Sequence, residues 1–246
     1  MKKILLQNAK IVSSSGVDEK DVVVSGGEIL KVCESGEGRD LIENIVDEDG
    51  FSVLDCSNPD VYVLPGIIDA HVHFREPGLT QKGDFASESK AALAGGITTV
   101  FDMPNTVPQV DTCEAFASKL KIAKEKCLCH FKLFMSGNNV SEIKKVLKDS
   151  SLNVFLAGVK VYMSEGVDLE NVLADEDLKD VPVVVHAEDF SCLRKHGDRF
   201  DYKNPSSHSE SRPLECALVG VKKACHLAKK YKRKLHIAHV TSMEEV

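Results

Sequence analysis

Residues 61–78 read VYVLPGIIDAHVHFREPG, an apolar run that closes on Asp69, His71, His73 and Arg75. Apolar residues without alternation suit a strand covered on both faces, as in a parallel sheet. Val61–His73 is therefore expected to form one continuous buried strand. Side chains two apart on a strand share a face, so His71 and His73 point the same way. Two imidazoles on one face at a strand's C-terminal end are placed to grip a divalent metal. Two ordinary histidines at a strand end are the plainer alternative, and the residues downstream decide between the two.

Downstream, strand-like and helix-like runs alternate. The strand-like runs after Val61–His73 are Ile97–Met103, Cys127–Met135, Val154–Met163, Val181–His186 and Leu235–Val240. Helix-like runs lie between them at Ser87–Ala94, Cys113–Lys126, Val140–Lys148, Leu169–Ala174 and Pro213–Lys230. In the last, Leu214, Ala217, Leu218, Val221 and Ala224 fall on one face, with lysines opposite. Such alternation predicts βα units on a parallel sheet, wound as an open sheet or a barrel. Upstream, residues 1–60 carry short strands at Lys3–Val12, Asp21–Val32 and Ser52–Asp55, punctuated by Gly16, Gly26, Gly27 and Gly50. The acidic segment Glu34–Gly50 reads as a solvated loop. The expected organisation is a small β-subdomain over 1–60 and an α/β domain over 61–246.

Composition narrows the function. A formal charge of −7 disfavours nucleic acid or an anionic membrane as partner. No stretch approaches the ~20 apolar residues of a membrane span. The opening MKKILLQNAKIV is interrupted by polar residues too early for a signal peptide, so a cytoplasmic location is expected. The eight cysteines have no zinc-knuckle spacing. In a reducing compartment they read as small buried apolar residues rather than a disulfide framework.

PGIIDAHVHFREPG, with MPNT at Met103–Thr106, GVKVYM at Gly158–Met163, HAE at His186–Glu188 and HVTS at His239–Ser242, resembles the dihydroorotases of the cyclic amidohydrolase superfamily. The motifs fall in that family's order, and the resemblance runs from about Lys3 to the last residue. It implies a TIM-type (β/α)8 barrel beside a small β-subdomain, of which about six strands and the N-terminal part of the subdomain are present here. It also implies two zinc ions, held by His71, His73, His186 and His239 and bridged by Lys160 as a carbamate. His73, Arg75 and Asn105 would bind substrate, with the Arg75 guanidinium on a carboxylate. The residues are compatible with these roles. A lysine inside the apolar VFLAGVKVYM is costly unless its amine reaches water, a partner or a metal. A desolvated neutral amine captures carbon dioxide to form a carboxylate on a long arm. A snorkelling lysine, an arginine paired with Glu76 and a plain Pro-Asn turn are the competing readings. Of His236 and His239, three apart in the sixth strand, His239 lies nearer the C-terminal end. His130, His196, His208 and His226 read as ordinary.

The reaction implied is the reversible cyclisation of N-carbamoyl-L-aspartate to dihydroorotate in pyrimidine synthesis. An allantoinase or dihydropyrimidinase chemistry, or a non-catalytic homologue serving as a partner subunit, are the alternatives. The family's general-base aspartate sits on an eighth strand that these 246 residues do not reach. No catalytic residue is therefore assigned, and weak metal binding with little or no turnover is expected of this chain alone. Six strands leave a barrel open, so completion by further chain, or by a second copy in a homo-oligomer, is expected.

Overall fold

The computed structural model describes residues 3–45, 50–197 and 200–246. The chain divides into two compact units, Met1–Gly66 and Ile67–Val246. In the first, β1 (Lys3–Ser13), β2 (Gly16–Ser25), β3 (Glu28–Glu34) and β4 (Ser52–Asp55) form a sheet in the order β3-β2-β1-β4. The strand expected over Asp21–Val32 is thus two, because Gly26 and Gly27 both take positive φ (62° and 87°) and turn the chain. The acidic segment is not all loop: Glu37–Ile45 forms α1. It is held by the Asp21 carboxylate, which accepts the Gly36 and Gly38 amides at 2.9 and 3.1 Å. Residues 46–49 of that segment lie outside the described residues.

The second unit carries β5 (Ile67–Val72), α2 (Phe85–Ala94), β6 (Ile97–Asp102), α3 (Cys113–Lys126), β7 (His130–Ser136), α4 (Val140–Lys148), α5 (Ser150–Asn153) and β8 (Leu156–Tyr162). Then follow α6 (Leu169–Ala174), β9 (Val183–His186), α7 (Phe190–His196), α8 (Ser207–Ser211), α9 (Leu214–Lys230) and β10 (His236–Ile237). The six strands are all parallel and lie in chain order, β5 to β10. That is the run of consecutive right-handed βα units expected of a part-built barrel. Its core is the helix-facing layer, where Val100, Leu133, Met135, Val159, Val161, Val183 and Val185 meet Phe116, Ile143, Val172 and Ala224.

Two expectations fail here for local reasons. The strand over Val61–His73 is broken, since Pro65 has no amide to donate. Val63 instead hydrogen-bonds back to Lys10 and Val12, and the parallel strand begins only at Ile67. Because β5 is an edge, Ile67 and Ile68 are 54% and 60% exposed rather than buried. Nor are all the cysteines isolated apolar fillers: Cys192 and Cys216 are joined, and Cys225 is exposed. Among the described residues no helix is long and apolar enough to cross a membrane.

Candidate metal centre

In a parallel sheet the C-terminal strand ends form one rim, and the sequence puts its polar residues there. His71 sits on β5, with His73 one residue beyond its end. Lys160 lies within β8, opposite Ser136 of β7 and Val184 of β9, and His186 closes β9. His239 follows β10 by two residues. The imidazoles gather: ring centroids are 5.2 Å apart for His71–His73, 5.6 Å for His71–His239 and 4.7 Å for His186–His239. The Lys160 Nζ lies 5.3 Å from the Tyr162 ring centroid, and its charge depresses His71, His73 and His239 alike. The structure thus brings the four imidazoles together, with the Lys160 amine near enough to act on three of them.

Hydrogen bonds fix which ring nitrogen each histidine turns to the others. His73 Nδ1 meets the Asn105 side-chain oxygen 2.7 Å away, so Nδ1 donates and Nε2 keeps its lone pair. His186 Nε2 donates to the Glu188 carboxylate, leaving Nδ1 bare. That Nδ1 faces His239 Nε2 at 3.0 Å. Burial, together with the Lys160 charge and the neighbouring rings, pushes His71 down to about 4, and burial also lowers His73 and His239. His71, His73 and His239 are therefore neutral near pH 7, each with one ring nitrogen lone pair; His239 Nε2 donates to His186 Nδ1. Such a cluster is the donor set of a cation site.

Lys160 is the clearest anomaly. It is 1% exposed, and its amine has no hydrogen-bond partner among the described residues. Burial lowers its pKa to about 8. A buried amine without a described partner, close to His71, His73 and His239, fits a lysine that carries a further group and meets metal, so the donor set fits a bridged pair of ions.

The loops that carry Arg75 and Asn105 are locked together. Asp102, buried at the end of β6, accepts the Phe74 amide at 2.8 Å and pairs with the buried Lys119 of α3 at 2.7 Å. Val107 N donates to Pro77 O at 3.1 Å. Gly78 has φ +82°, and a Cβ there would stand 2.1 Å from Val107 O. Gly78→Ala is expected to destabilise the protein by about 2 kcal/mol or more in urea unfolding, through strain at this contact. An unchanged midpoint would show that the two loops are free to separate.

Glu76 is not the partner of Arg75. Its carboxylate binds Lys126 Nζ and the Phe85 amide at the start of α2. Arg75, with φ 70°, is left with no carboxylate partner among the described residues. Glu188, Arg212 and Lys119 were missed in the sequence. Arg212 Nε sits 3.2 and 3.1 Å from the two Glu188 oxygens. Burial opposes the Glu188 charge, yet the bonds from His186 and Arg212 outweigh it and hold the carboxyl down to about 2. For Lys119 a signal existed, since it falls on the Phe116–Leu120–Ala123 face of α3. His239, at φ 41°, is set by a turn whose Thr241 and Ser242 amides both donate to Glu245.

The amidohydrolase family matches residues 62–244. A dihydroorotase of Methanothermobacter thermautotrophicus is 36% identical over 84% of this chain and 50% of its own length. One from Halobacterium salinarum is 34% identical over 92% of the chain and 54% of its own length. Among solved structures, the L-hydantoinase (dihydropyrimidinase) of Arthrobacter aurescens superposes with a TM-score of 0.81 at 26% identity, over 100% of this chain and 54% of that one. The chain spans about half the length of these relatives. With its parallel strands in order, its histidines at their C-terminal ends and its family match over most of its length, the chain belongs to the amidohydrolase family.

Proposed function

We propose that this chain contributes the metal-binding half of a dihydroorotase, in which N-carbamoyl-L-aspartate closes reversibly to dihydroorotate with loss of water, as a step of pyrimidine synthesis. The observation that carries this reading is the buried, partnerless Lys160 amine among four lone-pair-bearing imidazoles. His71 and His73 would hold one zinc ion, His186 and His239 the other, and the carbamate of Lys160 would join them. When bound, the two ions supply an activated water and polarise the amide carbonyl.

The chain's own residues do the rest. Arg75, without a carboxylate partner among the described residues, offers a bidentate fork to the substrate carboxylate. Asn105 has its oxygen occupied by His73, which leaves its amide N–H groups to donate to a ring carbonyl. Glu188, clamped by Arg212, fixes the His186 tautomer in the manner of a carboxylate behind a metal-bound imidazole. Glu188→Gln is expected to weaken zinc binding about 10- to 100-fold in a chelator competition. Unaltered affinity would reduce the Glu188 contact to packing.

The likeness to an L-hydantoinase at 26% identity supports a second reading, hydrolysis of an uncharged cyclic amide such as a dihydropyrimidine or hydantoin. The two differ in need for a carboxylate. Titration of the zinc-loaded protein with dihydroorotate and with unsubstituted hydantoin tests the choice. Tighter binding of dihydroorotate, dependent on Arg75, supports the first; preference for hydantoin indifferent to Arg75 supports the second. Failure to take up zinc at all would favour a non-catalytic partner subunit.

A further inference from the structure

Away from the strand ends, α7 meets the start of α9 through a second constellation. Cys192 and His196 stand one turn apart on α7 and so share a face. Glu215 and Cys216 open α9. His196 Nε2 lies 2.8 Å from Glu215 Oε1, and Cys192 Sγ lies 3.9 Å from the same oxygen. The two sulfurs are joined, with their Cα atoms 5.3 Å apart. One ligand atom from each of the four residues falls within 4.8 Å of every other. Cys216 is fully buried, and His196 Nδ1 is buried with no hydrogen-bond partner among the described residues.

A disulfide alone explains neither His196 nor Glu215 being drawn to the sulfurs. We propose that in its dithiol form this cluster is a structural zinc site, with Cys192, His196, Glu215 and Cys216 as ligands. Opening the bond takes two electrons and two protons from a thiol reductant. A divalent ion then displaces both thiol protons. Two thiolates, an imidazole and a carboxylate make a closed tetrahedral set suited to zinc. The ion would clamp the segment after β9 to α9, where Asp189 N already donates to Cys216 O at 2.9 Å. This site stands apart from the histidine cluster, and its ligation does not depend on the proposed reaction.

Cobalt(II) titrated anaerobically into the phosphine-reduced 246-residue chain tests the site. The histidine–lysine cluster has no sulfur ligand, so a thiolate-to-cobalt charge-transfer band reports thiol ligation alone. The band should saturate at one cobalt per chain, vanish in the double variant C192S/C216S, weaken in H196A and persist in C127S/C129S. Absence of the band from the wild type, or its survival in C192S/C216S, overturns the proposal. Should C192S/C216S not fold, the wild type decides through thiol alkylation mapped by mass spectrometry. Zinc should slow alkylation of Cys192 and Cys216 at least tenfold in the reduced protein; equal rates with and without zinc refute the site.

Discussion

Replacing Lys160 with methionine should strengthen the metal-free fold while destroying the metal pair. The amine is buried and unpartnered, and its depression from 10.5 to about 8 corresponds to roughly 3 kcal/mol of unfavourable burial. A methionine fills similar volume without charge, so K160M should gain about 1–3 kcal/mol in urea unfolding at pH 7. The pH dependence has a defined sign. The folded lysine releases its proton near pH 8, and the unfolded one near its ordinary value of 10.5. Between those values the unfolded state holds more protons, so wild-type stability relative to K160M rises with pH. Below pH 8 both states are protonated and the full penalty is present. Zinc affinity should fall by at least about 100-fold, beyond what loss of an outer-shell partner causes. A K160M protein that is less stable than the wild type and still binds two zinc ions would contradict the account.

The second large effect is expected at Arg75. Among the described residues its guanidinium has no carboxylate partner, since Glu76 is committed to Lys126 and the Phe85 amide. Removing it therefore breaks no internal ion pair, and R75M should unfold within about 0.5 kcal/mol of the wild type. Dihydroorotate binding to the zinc-loaded protein should weaken by about 2–4 kcal/mol, or roughly 30- to 1000-fold, because a desolvated carboxylate loses a bidentate partner. Hydantoin, which lacks the carboxylate, should bind R75M as it binds the wild type. Equal losses for both ligands in calorimetric titration would mean that Arg75 shapes the pocket without reading charge.

The parallel strands and most of the helices were legible because their signals are local. Cys113–Lys126, Val140–Lys148 and Leu169–Ala174 are helices over the ranges their periodicity indicates, and their caps at Thr112, Asn139 and Asp168 are side-chain hydrogen bonds a few residues long. What was not legible depends on contacts distant in sequence. Helix α1 exists because Asp21 of β2 binds its N-terminal amides, and no feature of the acidic segment itself announces that. The run from Val61 breaks at Pro65, and Ile67 and Ile68, whose composition points to burial, stand exposed because β5 is the sheet edge. Helix α7 had a local cue in Asp189, whose side chain accepts the Cys192 amide at 2.8 Å, but its short run showed no stripe. In the site, each histidine was nameable from its motif. Its tautomer was not, since Asn105 reaches His73 across 32 residues of sequence, and Glu188, only two residues from His186, is held in place by Arg212, 24 residues further on.

The central claim is that four imidazoles and one modified amine hold a pair of cations at the strand ends. An anomalous difference map at the zinc edge, from crystals grown with zinc and bicarbonate, tests it most directly. Two peaks are predicted inside the histidine cluster, one against His71 and His73 and one against His186 and His239, with electron density continuing past Lys160 Nζ. Zinc absent from that cluster, with Lys160 ending in a bare amine, would contradict it.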